Sequence, residues 1–207
     1  MAESIWPTIH AERRALAADL AGLSAEQWQQ ASLCPDWNVH QVLAHLLALA
    51  KMTPAKFIAG FTAHRFDFHT FIGKLVAEES ASAPAQTLAA FRAAEPRQSS
   101  PPAPPTTWLG ENFIHGEDIR RPLGIRHEYP VAAVTRVITY YSKLNALLGA
   151  KKRIAGLTLA ATDTDYTIGS GPRVEGPAMT LLMATAGRSA VLDELAGPGL
   201  DLLRQRP

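Results

Sequence analysis

Apolar residues recur at three- and four-residue spacing through the first two-thirds of the chain, the period of a helix that turns one face to a core. Ile9, Leu16, Leu20 and Leu23 mark a first helix over residues 4–23, with Glu12, Arg13 and Arg14 between them. Ser24, followed three residues on by Gln27, has the form of a capping box and starts a second helix, on which Trp28 is the expected core anchor. Pro35 interrupts the chain, and Asp36 is the expected cap of the next helix. Val39, Val42, Leu43, Leu46, Leu47 and Leu49 carry that helix to about Ala59. More helix is expected over 71–76 and 87–94, and Glu95 to Pro105, with five prolines, is a loop. Trp108 to Gly124 contains another helix, bounded by prolines and threonines before it and by Pro122 and Gly124 after it. Val131, Val134, Val137, Ile138, Tyr141, Leu144, Leu147 and Leu148 predict an amphipathic helix over 130–148, ended by Gly149.

From Ile154 the period changes. Residues 156–162 alternate as a strand does, Asp163 to Asp165 form a turn, and 166–168 and 173–175 read as two further short strands around the Gly169–Pro172 turn. Helices follow from Pro177 through Ala186 and from Arg188 to Ala196. The expected class is therefore α+β, mainly α: a helical domain over 1–150 and a small α/β domain over 151–207. No internal repeat is evident.

Composition narrows the function classes. Hydrophobic residues make up 47% of the 207 positions and charged residues 19%, which predicts a packed core. The net charge is +1 with no basic block, which argues against a nucleic-acid partner. Cys34 is the only cysteine, so no intrachain disulfide is possible, and a reducing cytoplasm fits. The start of the chain has no apolar stretch of the signal-peptide kind. The longest apolar run, Val42 to Ala50, is broken by His45 and is too short to span a bilayer. A cytoplasmic monomer or homodimer acting on a small molecule is the expectation, without membrane or nucleic acid.

The candidate chemistry lies on two helices. Glu111 and His115 are four residues apart, hence one turn apart on one helical face. His45 sits inside a strongly apolar helix, where its ring nitrogens need partners. Alone, His45 reads equally as a core histidine bonded to a carbonyl or as a metal ligand; Glu111 and His115 favour the ligand. Two imidazoles and one carboxylate leave a coordination position open, as a catalytic metal requires. Zinc is the first choice for this donor set, which nickel, iron or manganese also accept. Such an ion lowers the pKa of a bound thiol or water. The bland alternative makes Glu111 a cap or salt-bridge partner and His115 a satisfied interface histidine. His64 and His69, five apart, read as pocket rim or surface, and Cys34 as a small buried hydrophobe. Asp163 to Asp165 lacks the downstream glutamate of a calcium loop, and Gly169 to Gly171 does not open a βαβ unit. Arg120 and Arg121 could hold a substrate carboxylate through paired bonds. At a helix C-terminus they read more simply as solvated or dipole-pairing residues.

Cys34-Pro35-Asp36-Trp37-Asn38-Val39, followed by Val42-Leu43-Ala44-His45-Leu46, resembles the N-terminal domain of the mycothiol-dependent maleylpyruvate isomerase family, within the DinB-like four-helix-bundle metalloproteins. Gly110 to Gly124 is similar to the second hallmark stretch of that group. Ala161 to Tyr166, Gly171-Pro172, Gly176-Pro177-Ala178 and Ala186-Gly187-Arg188 resemble the sterol-carrier-protein-like C-terminal domain that often follows. The resemblance implies a divalent metal, typically zinc, held by His45, Glu111 and His115, with the thiol mycothiol as cosubstrate. It further implies cis–trans isomerisation of a small electrophile such as maleylpyruvate, or thiol transfer to one. Two other readings keep the same fold: a binding protein without catalysis, and a zinc-dependent hydrolase whose base would be Glu117 or Asp118.

Overall fold

Side-chain caps or prolines start every helix in the N-terminal half of the protein. The computed structural model describes residues 4–145 and 149–206 and divides the chain into two compact units, 1–127 and 128–207. In the first unit α1 (Trp6–Asp19) begins with a proline in its first turn, and α2 (Ala25–Gln29) with a complete capping box between Ser24 and Gln27. The next helix, α3 (Val39–Lys51), is capped by Asn38 in a second capping box with Gln41, and not by Asp36, which is exposed. Asn38 is extended and immediately precedes the apolar face, so its side chain can reach the backbone N–H of Gln41, 2.9 Å away.

The helix expected to run to Ala59 stops at Lys51. Pro54 is the cause. A proline disfavours helical backbone in the residue before it, and Thr53 is extended (φ −114°, ψ 159°). Thr53 then caps α4 (Pro54–Ala63), with Pro54 in its first turn. Asp67 caps α5 (Phe68–Glu79), and prolines open α6 (Pro84–Ala94) and α7 (Pro105–Arg120).

Four of these helices make a bundle, in which α1 and α3 each pack against both α6 and α7, while α5 packs on α3. The core is built from Leu16, Leu20, Trp28, Val42, Leu43, Leu46, Leu47, Phe91 and Ile119. A second apolar cluster joins Ala44 and Met52 to Phe71, Ile72 and Val76 on α5, with Trp37 and Phe61 packed against it.

Among the described residues the second unit holds α8 (Val131–Tyr141), α9 (Ala150–Arg153), three strands and three further short helices, one of them 3-10. Leu147 and Leu148, expected to extend the helix from 130, lie outside the described residues. The strands β1 (Thr158–Ala161), β2 (Thr167–Gly169) and β3 (Arg173–Gly176) form a sheet in the order β2-β1-β3. β1 runs antiparallel to β2 and parallel to β3, with Leu159 opposite both Ile168 and Val174. The turn between β2 and β3 needs its glycines: Gly169 and Gly171 have positive φ, and a Cβ on either would collide with the carbonyl oxygen of Leu157 or Gly156. After β3, α10 (Ala178–Thr185) packs on α8 and on β1. The helix expected over 188–196 is a 3-10 helix over Ser189–Glu194, bracketed by Gly187 and Gly197 at positive φ. It is followed by α11 (Leu200–Arg204), too short to leave a period in the sequence. The class is α+β, mainly α. No single helix among the described residues is long and apolar enough to cross a membrane.

Replacing Asn38 by Ala should cost about 1 kcal/mol in denaturant unfolding, while Asp36→Ala stays near neutral. Equal losses for both would show that Asp36 shares the cap.

Candidate metal centre

The packing of α3 on α7 brings three donors together. His45 lies on α3 between the buried residues Ala44 and Leu46, so its ring enters the bundle interior. Glu111 and His115 lie one turn apart on α7. Glu111 Oε2 is 3.1 Å from His45 Nε2 and 3.3 Å from His115 Nε2. The two imidazole rings meet edge to face, 4.7 Å between centroids. One ligand atom from each residue lies within 4.8 Å of the others, a spacing a single cation can bridge.

His115 has a second partner. Its Nδ1 donates to Asp118 Oδ2 at 2.9 Å, and the Asp118 side chain is fully buried. Asp118 follows His115 by three residues on the same face of α7. Its backbone oxygen also accepts from Leu33 N at 3.0 Å, which ties α7 to the turn that precedes α3. A carboxylate on the far nitrogen of a histidine fixes which nitrogen is left for a metal and raises its basicity. Trp37 covers the imidazoles, its ring 5.0 Å from that of His45 and 6.3 Å from that of His115. The Glu111 side chain is the most open of the three, at 22% exposure against 8% for His45 and 11% for His115.

The electrostatics of the three residues follow from these contacts. Burial alone would push the Glu111 carboxyl up, but the hydrogen bonds from His115 and His45 outweigh it and hold the group well below the usual carboxylate range. Burial would push His115 down, but its bonds to Asp118 and Glu111 win and raise it to about 9. For His45 burial prevails over the Glu111 bond, and its pKa is lowered. Charge and donor type suit a divalent cation: Nε2 of both histidines and Oε2 of Glu111 converge, and the remaining nitrogen of His115 is already held by Asp118.

The other residues singled out by sequence fall elsewhere. Arg120 is fully buried; its Nε donates to Asp19 Oδ2 at 2.7 Å, and its Nη1 lies 3.9 Å from Glu12. Arg121 donates to Glu117 Oε2 at 2.6 Å along α7. His64 donates from Nδ1 to Gly60 O at the end of α4, and His69 is exposed on α5. Cys34 is half-buried, and its sulfur forms a second donor group with His115 and Asp118. Sequence reasoning missed the roles of Asp118 and Trp37. The signal for Asp118 was its place three residues after His115, and for Trp37 its place just ahead of the helix that carries His45.

This arrangement defines a helical-bundle protein with a His–Glu–His cluster whose two histidines are buried and whose glutamate is partly open. Residues 9–111 match the family model described as the mycothiol maleylpyruvate isomerase N-terminal domain. The match includes His45 and Glu111 and ends one turn before His115. Two solved structures share the fold over 93% of this chain and 91% of theirs. One is the mycothiol-dependent maleylpyruvate isomerase, with 11% identity and a TM-score of 0.56. The other is a mutant of the mycothiol-dependent maleylpyruvate isomerase, with 13% identity and a TM-score of 0.57. No curated protein matches the chain. The chain belongs to the mycothiol-dependent maleylpyruvate isomerase family.

If Asp118 orients His115 for a metal, Asp118→Asn should weaken metal binding about 10- to 100-fold, read by competition with a chromophoric chelator, with helical circular dichroism retained. Unchanged affinity in a folded variant would remove Asp118 from the centre.

Proposed function

We propose that the first unit binds one divalent cation, zinc by donor type, through His45, Glu111 and His115, and that the protein is an enzyme acting with a low-molecular-weight thiol. The reaction is cis–trans isomerisation of a small electrophile of the maleylpyruvate kind, or transfer of the thiol to one. The observation that carries this reading is the open three-donor cluster inside a bundle of this family. Structural zinc sites are usually closed by four protein ligands, whereas this cluster offers three and is most open at Glu111.

When bound, the cation supplies Lewis acidity, which keeps a thiol in its nucleophilic thiolate form near neutral pH. The chain's own residues prepare the centre for that. Asp118 holds the proton of His115 at Nδ1 and leaves Nε2 to face Glu111. Glu111 stays ionised and contributes negative charge to the donor set. The Trp37 ring packs beside both imidazoles. For isomerisation the thiol would supply a thiolate that adds to the cis double bond, with the π pair taken up by the conjugated carbonyl as an enolate; after rotation about the resulting single bond the pair would return and expel the thiolate from the trans product.

The hydrolase reading has less support. Glu117 is engaged by Arg121 and Asp118 by His115, so each proposed base already has a partner.

His45→Ala and His115→Ala should each abolish stoichiometric metal by elemental mass spectrometry while the bundle stays helical. Mycothiol should bind the metal-loaded protein in calorimetry and fail to bind after chelation. Full metal occupancy in both variants would discard the ligand set. Thiol binding indifferent to metal would separate the cofactor from this centre, and metal without thiol binding would favour the hydrolase or a binding protein.

A further inference from the structure

The second unit contains a cavity of about 400 Å³ lined by Gly149, Lys152, Arg153 and Arg206. We propose that it binds the oxyanion group, phosphate or carboxylate, of a small organic ligand. The inference does not depend on the metal centre.

Among the described residues, three of the four that line it are cationic and none is acidic. Like charges gathered at one cavity repel, so the fold holds them there against their mutual electrostatics. Backbone oxygens orient two of them. Arg206 Nη1 donates to the carbonyls of Arg153 and Ala155 at 2.7 and 2.6 Å. Arg153 Nη1 donates to the carbonyl of Thr185 at 2.8 Å. The Arg153 guanidinium also lies against Gly187, where a Cβ would come within 2.8 Å of its Nη2. Gly187 has φ of +89°, so this approach and the backbone conformation both call for glycine. Arg188 adds a further positive charge next to Arg153.

Lys152 completes the set from α9. Its backbone N–H is fixed by Asn145 Oδ1 at 3.0 Å, while the residue itself is exposed. Among the described residues neither Lys152 nor Arg206 makes an ion pair with a carboxylate. The bland reading is a solvated basic surface. Against it, Arg153 and Arg206 are half-buried and anchored by carbonyls, and they border a real cavity. Its volume lies within the roughly 300–1,000 Å³ typical of small-ligand sites and far above the ~30 Å³ of one water. Guanidinium groups match the geometry of phosphate and carboxylate oxygens, and a lysine ammonium adds a point charge.

The test is calorimetric titration of the whole protein at low ionic strength with inorganic phosphate, glycerol phosphate and succinate. At least one should bind saturably, at one site per chain. Lys152→Glu and Arg206→Ala should each weaken that binding about tenfold or more, the worth of one charge-assisted hydrogen bond. Binding of the phosphates alone would assign a phosphate ligand, and binding of succinate alone a carboxylate ligand. Arg206→Ala also removes two bonds to the backbone and can unfold the unit. Lys152→Glu changes an exposed side chain and keeps the test decisive. No saturable binding by any of the three, or equal binding by Lys152→Glu, would overturn the proposal.

Discussion

Burying ionised and polar side chains in a helical core is costly unless each finds a partner, and α7 buries several in succession. From Trp108 to Arg120 every residue except Glu111 is buried, among them Asn112, His115, Glu117, Asp118 and Arg120. A buried polar group without a partner costs ~1–3 kcal/mol, and a charge costs more. The bundle is arranged to meet those demands. Asn112 donates to the carbonyl of Trp108. Arg120 reaches across to Asp19 on α1, and Glu111 reaches across to His45 on α3. Asp118 satisfies His115 with its side chain and Leu33 with its backbone. The donor cluster is therefore one of the ties that hold α1, α3 and the turn before α3 around α7. Loss of its charges would disturb packing as well as chemistry.

Much of this was legible in the sequence, for a reason specific to helices. The 3.6-residue period marks a buried face without reference to any neighbour, so α1 and α3 could be read directly; α7, buried nearly all round, was legible from the prolines and glycine that bound it and from the Glu111–His115 spacing. What could not be read was set by geometry beyond the period. Asp36 and Asn38 are both good capping residues. The choice between them depends on which one sits extended immediately ahead of the first helical residue. The bend after Lys51 was written in Pro54, but the apolar run on both sides of it masked the stop. The helix beginning near 130 showed its apolar face without showing its partner, which is α10. Arg120, at the end of a helix, looked like a surface residue. Its burial depends on Asp19, about a hundred positions away in the chain, and no local pattern records that pairing.

The remaining question is why one imidazole serves two donor groups. His115 belongs with His45 and Glu111, and also with Cys34 and Asp118. An imidazole gives one nitrogen to a cation readily only when the other keeps its proton. Asp118 accepts that proton at Nδ1, which leaves Nε2, the nitrogen facing Glu111. By accepting from Nδ1, Asp118 leaves Nε2 as the nitrogen of His115 on the side of Glu111 and His45. The same bond, together with that to Glu111, raises the pKa of His115. Glu111 and Asp118 thus hold the two nitrogens of one ring, Asp118 from full burial and Glu111 from the more exposed side.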